Sequence, residues 1–134
     1  MDAEDQKRAV QEYIRCITAH DLEAVEALYA PDACLEDPVG SDPLKGIEAI
    51  REFYAKAFAM GVSAESTGEA RCAGNAVAFP FRITVRMGEN QMTIDVIDVF
   101  EFNASGKIQS MKAYWGPENS KTKPIPKTRS KLPN

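Results

Sequence analysis

Along the first part of the chain the apolar residues recur with a helical period. Val10, Tyr13, Ile14 and Ile17 fall at i, i+3, i+4 and i+7 with charged residues between them, which predicts an amphipathic helix over residues 5–19. Asp21 is placed to cap a second helix, in which Leu22, Val25, Leu28 and Tyr29 share a face until Pro31 ends it. The stretch ACLEDPVGSDPLKG reads as a brief extended piece ending at Asp37, a Pro/Gly/Asp loop, and a third helix from near Gly46 that carries Ile47, Ile50, Phe53, Tyr54 and Phe58. From about Val62 the period changes to two. In residues 77–87, Val77, Phe79, Phe81, Ile83, Val85 and Met87 alternate with small or polar residues. GENQ and NASG are turn signals that bracket a strand through MTIDVIDVFEF and precede a last strand, KIQSMKAYWG. Three helices followed by a curved antiparallel or mixed sheet, arranged as a meander, predict an α+β fold with the helices on one face. Pro80, inside a strand, predicts a bulge that sharpens the curvature. A sheet curled around helices encloses a conical cavity, for which Tyr13, Phe53, Phe81 and Trp115 are candidate lining residues.

With 134 residues, the length suits one domain with room for a core and a pocket. The polar, acidic start MDAEDQKRAV is unlike a secretory signal and no apolar run approaches a membrane span, so a soluble cytoplasmic protein is expected. Cys16, Cys34 and Cys72 form no close pair and fit reduced thiols better than a disulfide framework. His20 is the only histidine, which excludes a metal site of histidines and a histidine-based triad, and it is expected in a solvated turn. The net charge of −4 is uneven: from Gly116 onward the chain carries +4, leaving −8 for the rest, so the body is not a nucleic-acid binder. Residues 1–118 are read as the domain and 119–134 as a basic, Pro/Lys-rich, extended or disordered tail, with Lys121, Lys123, Lys127, Arg129 and Lys131 in solvent.

One strand breaks its own pattern. Ile94, Val96, Asp98, Phe100 and Phe102 point one way and Asp95, Ile97, Val99 and Glu101 the other, which places Asp98 on the apolar face. A carboxylate there must find a positive partner or keep its proton. Two plainer readings stand beside a functional one: a strand-end acid paired with a base such as Arg82, or a register shifted by one residue, which would turn Asp95 inward. Asp37 precedes Pro38, which holds it extended at a strand end, as suits a positioned base; Asp-Pro-x-Gly is also ordinary turn chemistry. Tyr13, Tyr29 and Tyr54 occupy the apolar faces of the three helices, where they are either core or a set of mutually hydrogen-bonded phenols. Met111 and Trp115 share one face of the last strand, as a wall for a flat ring system or as plain core.

EDPVG around Asp37, DVIDVF around Asp98 and GKIQSMKAYWG near the end, in that order and with Tyr13 upstream, resemble bacterial ketosteroid isomerase over about residues 5–116. The resemblance implies a cone-shaped α+β fold shared with nuclear transport factor, dehydratases and polyketide cyclases, a homodimer, a small-molecule steroid substrate and no cofactor. It implies that Asp37 moves a proton from C4 to C6 of a 3-oxo-Δ5-steroid, while Tyr13 and a protonated Asp98 hydrogen-bond the C3 oxygen of the dienolate. Tyr29 and Tyr54 would position Tyr13. Ile17, Phe53, Phe81, Ile83, Val96, Met111 and Trp115 would line the steroid site. A non-catalytic steroid or lipid binder and a related cyclase or dehydratase are the competing readings; neither a nucleic acid nor a membrane is expected as a partner.

Overall fold

The computed structural model describes residues 1–126. Helix α1 (Ala3–Ala19) starts on a reciprocal cap between Asp2 and Asp5, which satisfies free backbone donors of its first turn. It buries Val10, Tyr13 and Ile17 of the predicted stripe, together with Cys16, while Ile14 is half-buried. It ends at His20, in the left-handed region at φ 57°, where the imidazole stacks on Phe58 and its Nε2 lies 2.7 Å from the Val62 carbonyl oxygen. His20 is exposed, in the turn expected for it. Helix α3 (Ile47–Ala59) follows Gly46, whose φ of 90° suits glycine and whose N–H donates to the Ala33 carbonyl at 2.8 Å.

The second helix departs from expectation. Helix α2 spans only Leu22–Ala27, and Tyr29 opens strand β1 (Tyr29–Glu36) instead of closing the helix. A face made by Leu22, Val25 and Tyr29 satisfies a helical period, but residues Tyr29 and Ala30 bury their side chains beside strand β7 (Ile108–Tyr114), and this long-range pairing overrides the local pattern. Pro31 therefore lies within β1, in the stretch where the pairing shifts register, a place that tolerates a missing N–H.

The remaining strands are β2 (Leu44–Lys45), β3 (Ser63–Ser66), β4 (Arg71–Ala73), β5 (Ala76–Met87), β6 (Asn90–Phe102), β7 (Ile108–Tyr114) and β8 (Ser120–Pro124). They form one sheet in the order β2-β1-β7-β6-β5-β3, with β4 also on β5 and β8 also on β6. The long β5–β6 hairpin is its spine. All pairs are antiparallel except β1 with β7, so the sheet is mixed and the simple meander is corrected. Pro80 makes no bulge against β6: pairing runs unbroken from Ala76↔Glu101 to Met87↔Asn90. The Pro80 carbonyl accepts from Thr67 N–H, so its nitrogen faces the same outer side, at the break between β3 and β4 where no donor is required. Register shifts fall elsewhere, in β1 and between Glu101 and Phe102 of β6.

The stretch read as a tail begins in order. Ser120–Pro124 pair with Ile94–Asn90, and Ile125 N–H donates to the Glu89 carbonyl at 2.8 Å. Lys121 and Lys123 are exposed, as expected of them. Lys127, Arg129 and Lys131 lie outside the described residues. No helix is long and apolar enough to cross a membrane among the described residues.

Candidate active site

The inward face of the β5–β6 hairpin forms a ladder. Phe79 pairs with Asp98, Phe81 with Val96, Ile83 with Ile94 and Val85 with Met92. On its other side Asp98 is opposite Ala113 of β7. The carboxyl thus sits among apolar neighbours, 1% exposed, and neither oxygen has a hydrogen-bond partner among the described residues. Burial pushes it well above the usual carboxylate range, and the nearby Asp37 charge pushes the same way. The Tyr13 hydroxyl is near enough to oppose this somewhat, without meeting hydrogen-bond geometry. Burial and the Asp37 charge both favour the neutral acid at Asp98. Arg82 pairs instead with Asp95 on the outer face, at 2.8 Å, so neither the ion-paired reading of Asp98 nor the shifted register holds.

Two contacts bring Asp37 to the same rung. Val39 N–H donates to the carbonyl of Ala113, the residue opposite Asp98, at 2.8 Å. Trp115, two residues farther along the same face, donates its indole N–H to Asp37 Oδ1 at 2.8 Å. The loop is tied down further by Glu36, whose carboxylate accepts from Gly40 N–H, and by Ser41, whose hydroxyl donates to the Pro38 carbonyl. Burial raises the Asp37 carboxyl above its usual value, with the Trp115 hydrogen bond opposing. The turn reading and the positioned-acid reading therefore describe one object: a turn that aims its acid inward.

The three phenols meet, although from two helices and a strand. Tyr29 and Tyr54 hydroxyls are 2.5 Å apart, and Tyr54 donates to Tyr13 at 3.3 Å. For Tyr54 to donate to Tyr13, the proton of the shorter bond comes from Tyr29. The Tyr13 hydroxyl proton is then left free for something in the cavity, and the chain of bonds polarises it. The Tyr13 ring is fixed by edge-on contacts with Phe79, Phe81 and Phe100. Burial raises the Tyr13 hydroxyl well above its usual value, which favours the protonated phenol.

Between the helices and the ladder lies a cavity of about 320 Å³, within the range of small-molecule sites. Tyr13, Ile17, Asp37, Phe53, Tyr54, Phe81, Ile83, Val96 and Trp115 line it, all sites picked from the sequence. Asp98 lies behind that lining. Met111 does not line it either: it is buried opposite Phe100 and Leu35, one rung deeper than Asp98. Tyr29 also lies behind the lining. The residues missed are Ala57, Met60, Val62, Val85, Met92 and Ile94. Val85, Met92 and Ile94 carry the same period-two signal as Ile83 and Val96, and Ala57 and Met60 continue the Phe53 stripe of α3. Among the described residues no group of three or more His, Cys, Asp or Glu is placed to hold a metal ion.

Comparison with known proteins agrees with this architecture. The SnoaL-like domain family matches residues 10–111. The chain is 45% identical over 111 residues to the Steroid Delta-isomerase of Nocardioides simplex, a match covering 83% of this chain and 89% of that protein. It is 34% identical over 124 residues to the Epoxide hydrolase LasB of Streptomyces lasalocidi, covering 85% of this chain but 42% of that longer protein. Among solved structures, the epoxide hydrolase/cyclase-like enzyme SalBIII, described for pyran ring formation in the polyether salinomycin, superposes with a TM-score of 0.83 at 29% identity, covering 89% of this chain and 96% of that one.

Proposed function

The chain belongs to the SnoaL-like domain family, and we propose that within it this protein is a steroid Δ-isomerase that converts 3-oxo-Δ5-steroids to the conjugated Δ4 form. The observation that carries this reading is a fully buried Asp98, whose carboxyl burial biases toward its neutral form, close to Tyr13 beside an apolar cavity whose lining acid, Asp37, is held on the same rung. The 45% identity to the Nocardioides enzyme supports it.

In this mechanism the substrate's C3 oxygen lies against Tyr13 and reaches the Asp98 carboxyl just behind the cavity lining. The Asp37 carboxylate takes a proton from C4; the C4–H electrons form the C3–C4 double bond of the dienolate, and negative charge moves onto the oxygen. Tyr13 and Asp98 each donate a hydrogen bond that strengthens as that charge grows. The proton then passes from Asp37 to C6, the double bond shifts into conjugation, and Asp37 is again a carboxylate. Its raised pKa makes it a stronger base than an exposed aspartate while it can still ionise. Tyr29 and Tyr54 keep the Tyr13 proton directed at the oxygen. The reaction needs no cofactor. The outer face of the sheet, where Ile97 and Tyr114 are nearly half exposed, supports a homodimer, and three free cysteines support a reducing, cytoplasmic setting.

Mixing the protein with a 5-ene-3-ketosteroid should produce the absorbance of the conjugated enone. Asp37→Asn should abolish most of that turnover while steroid binding persists, because the amide keeps the shape and cannot accept the proton. Activity within a few-fold of wild type would sink the assignment.

A second reading rests on the same pair of acids. A neutral carboxyl and a carboxylate base in one apolar cavity also suit epoxide opening, with Asp98 donating to the epoxide oxygen and Asp37 activating the attacking hydroxyl, as the relatedness to LasB and SalBIII would favour. Turnover of an epoxide in place of the ketosteroid decides for it.

A further inference from the structure

Met60 is out of keeping with the rest of the cavity: it contributes to the lining yet is 50% exposed. It caps the C-terminal end of α3. On the outer flank of that helix Ala49, Glu52, Phe53, Lys56, Ala57 and Met60 fall at i, i+3, i+4, i+7, i+8 and i+11, and with Leu44 of β2 they line a second hollow of about 360 Å³. Phe53, Ala57 and Met60 belong to both spaces. The partition is therefore one stripe of α3, and its middle member is an alanine, whose methyl leaves a low point between Phe53 and Met60.

The ladder gives the cavity a direction. From the Phe79–Asp98 rung to the Val85–Met92 rung is six residues, about 20 Å at roughly 3.3 Å per residue. The groups that can hold a developing charge are at the first end. The second end is rimmed by Met60, Val62, Val85 and Met92 and has no charged side chain among the described residues. A ring system held by its oxygen at Tyr13 and Asp98 thus presents its far end to an apolar rim that shares Ala57 with the groove. Beyond it, Glu52 and Lys56 are exposed, while Leu44, Ala49, Phe53 and Ala57 are half-buried and apolar.

We infer that the cavity and the α3 groove are one continuous ligand site, in which the cavity takes the fused rings and the groove takes an uncharged alkyl side chain at the end of the rings opposite the reacting carbonyl. This rests on the isomerase reading for the identity of the rings, and narrows the substrate class to ketosteroids that keep a branched alkyl chain on the five-membered ring.

The test is equilibrium binding, followed by quenching of Trp115, which is the single tryptophan and lines the cavity. Two 4-en-3-ones are compared, one with a ketone on the five-membered ring and one with an eight-carbon branched alkyl chain there. The alkyl compound should bind wild type at least about tenfold more tightly, since burying even two methylenes supplies that factor. Ala49→Phe, which fills the groove, and Leu44→Gln, which makes it polar, should each bring the ratio of the two Kd values toward one. A ratio near one in wild type, or a ratio that survives both substitutions, overturns the inference; retained binding of the ring-only compound shows that the variants are folded. Isomerisation of the corresponding 5-en-3-ones, run in parallel, separates the two readings. Turnover with no alkyl preference defeats the groove alone, an alkyl preference without turnover defeats the isomerase alone, and no binding of either compound overturns both.

Discussion

Asp95 and Asp98 stand three residues apart on one strand, and the fold makes them different acids. Asp95 faces outward, where a hydrogen bond from Arg82 holds its carboxyl below the usual value against an opposing effect of burial, with the charges of Arg82 and Lys121 adding less. Asp98 faces inward, between Phe79 and Ala113, where loss of hydration holds its proton on. An odd separation on a strand is enough to reverse the sign of the shift, because the side-chain period is two and the two faces of this sheet have opposite polarity. The ion pair with Arg82 favours the charged carboxylate at one position, and burial favours the neutral acid at the other.

The sharpest way to break this comparison is to remove each acid in turn. Asp98→Leu should lower kcat by about 10²–10³-fold, the usual cost of losing one donor to a developing oxyanion. It should leave the protein folded, since an apolar side chain replaces a carboxyl that has no partner. Asp95→Leu should leave turnover within about threefold, in keeping with the small worth of an exposed ion pair. Equal losses in steady-state kinetics would mean that burial does not distinguish the two.

Stability against pH sharpens the same point without a substrate. Because the folded pKa of Asp98 is raised above the 3.8 of an ordinary aspartate, the folded protein keeps a proton that the unfolded chain releases. Its contribution is complete below that ordinary value and falls as pH rises, by up to about 1.4 kcal/mol per pH unit, until the folded pKa is passed. Denaturant unfolding across pH 5 to 9 should therefore show Asp98→Asn gaining stability relative to wild type as pH rises. Asp37, raised in the same direction, is present in both proteins and largely cancels. For Asp95 the sign is opposite: its lowered folded pKa gives a contribution present above the ordinary value and lost as pH falls through the folded one. Asp95→Asn should thus lag wild type only slightly at neutral pH, and that gap should close on acidification and in high salt. A flat difference for Asp98→Asn would mean that the group is ionised in the folded protein.

A smaller loss than that of Asp98→Leu tests what stands behind Tyr13. Tyr54→Phe removes the middle of the phenol chain, and one hydrogen bond acting at a distance should lower kcat by about tenfold with little change in KM. A change in KM alone would make Tyr54 a packing residue of the cavity wall.

Residue faces were legible in the chain itself. The helical stripe of α1 carries Tyr13 inward, the alternation of β6 carries Asp98 inward and Asp95 outward, and the period-two run of β5 marks Phe81 and Ile83, all from side-chain geometry that needs no partner. What lies across from a face is not written locally, and there the tertiary structure decided. Tyr29 belongs to a strand because β7 is available for it to pair with in parallel; Pro80 fits without a bulge because its missing donor falls between β3 and β4; Ser120–Pro124 are ordered because the edge of β6 is open beside them. Met111 and Met92 look alike in sequence, and only the register places one below Asp98 and the other on the cavity rim. Asp37 is the clearest case. Its Asp-Pro turn specifies an extended residue and nothing more, and it becomes a candidate base because Ala113 and Trp115, more than seventy residues later, hold the loop against the rung of Asp98.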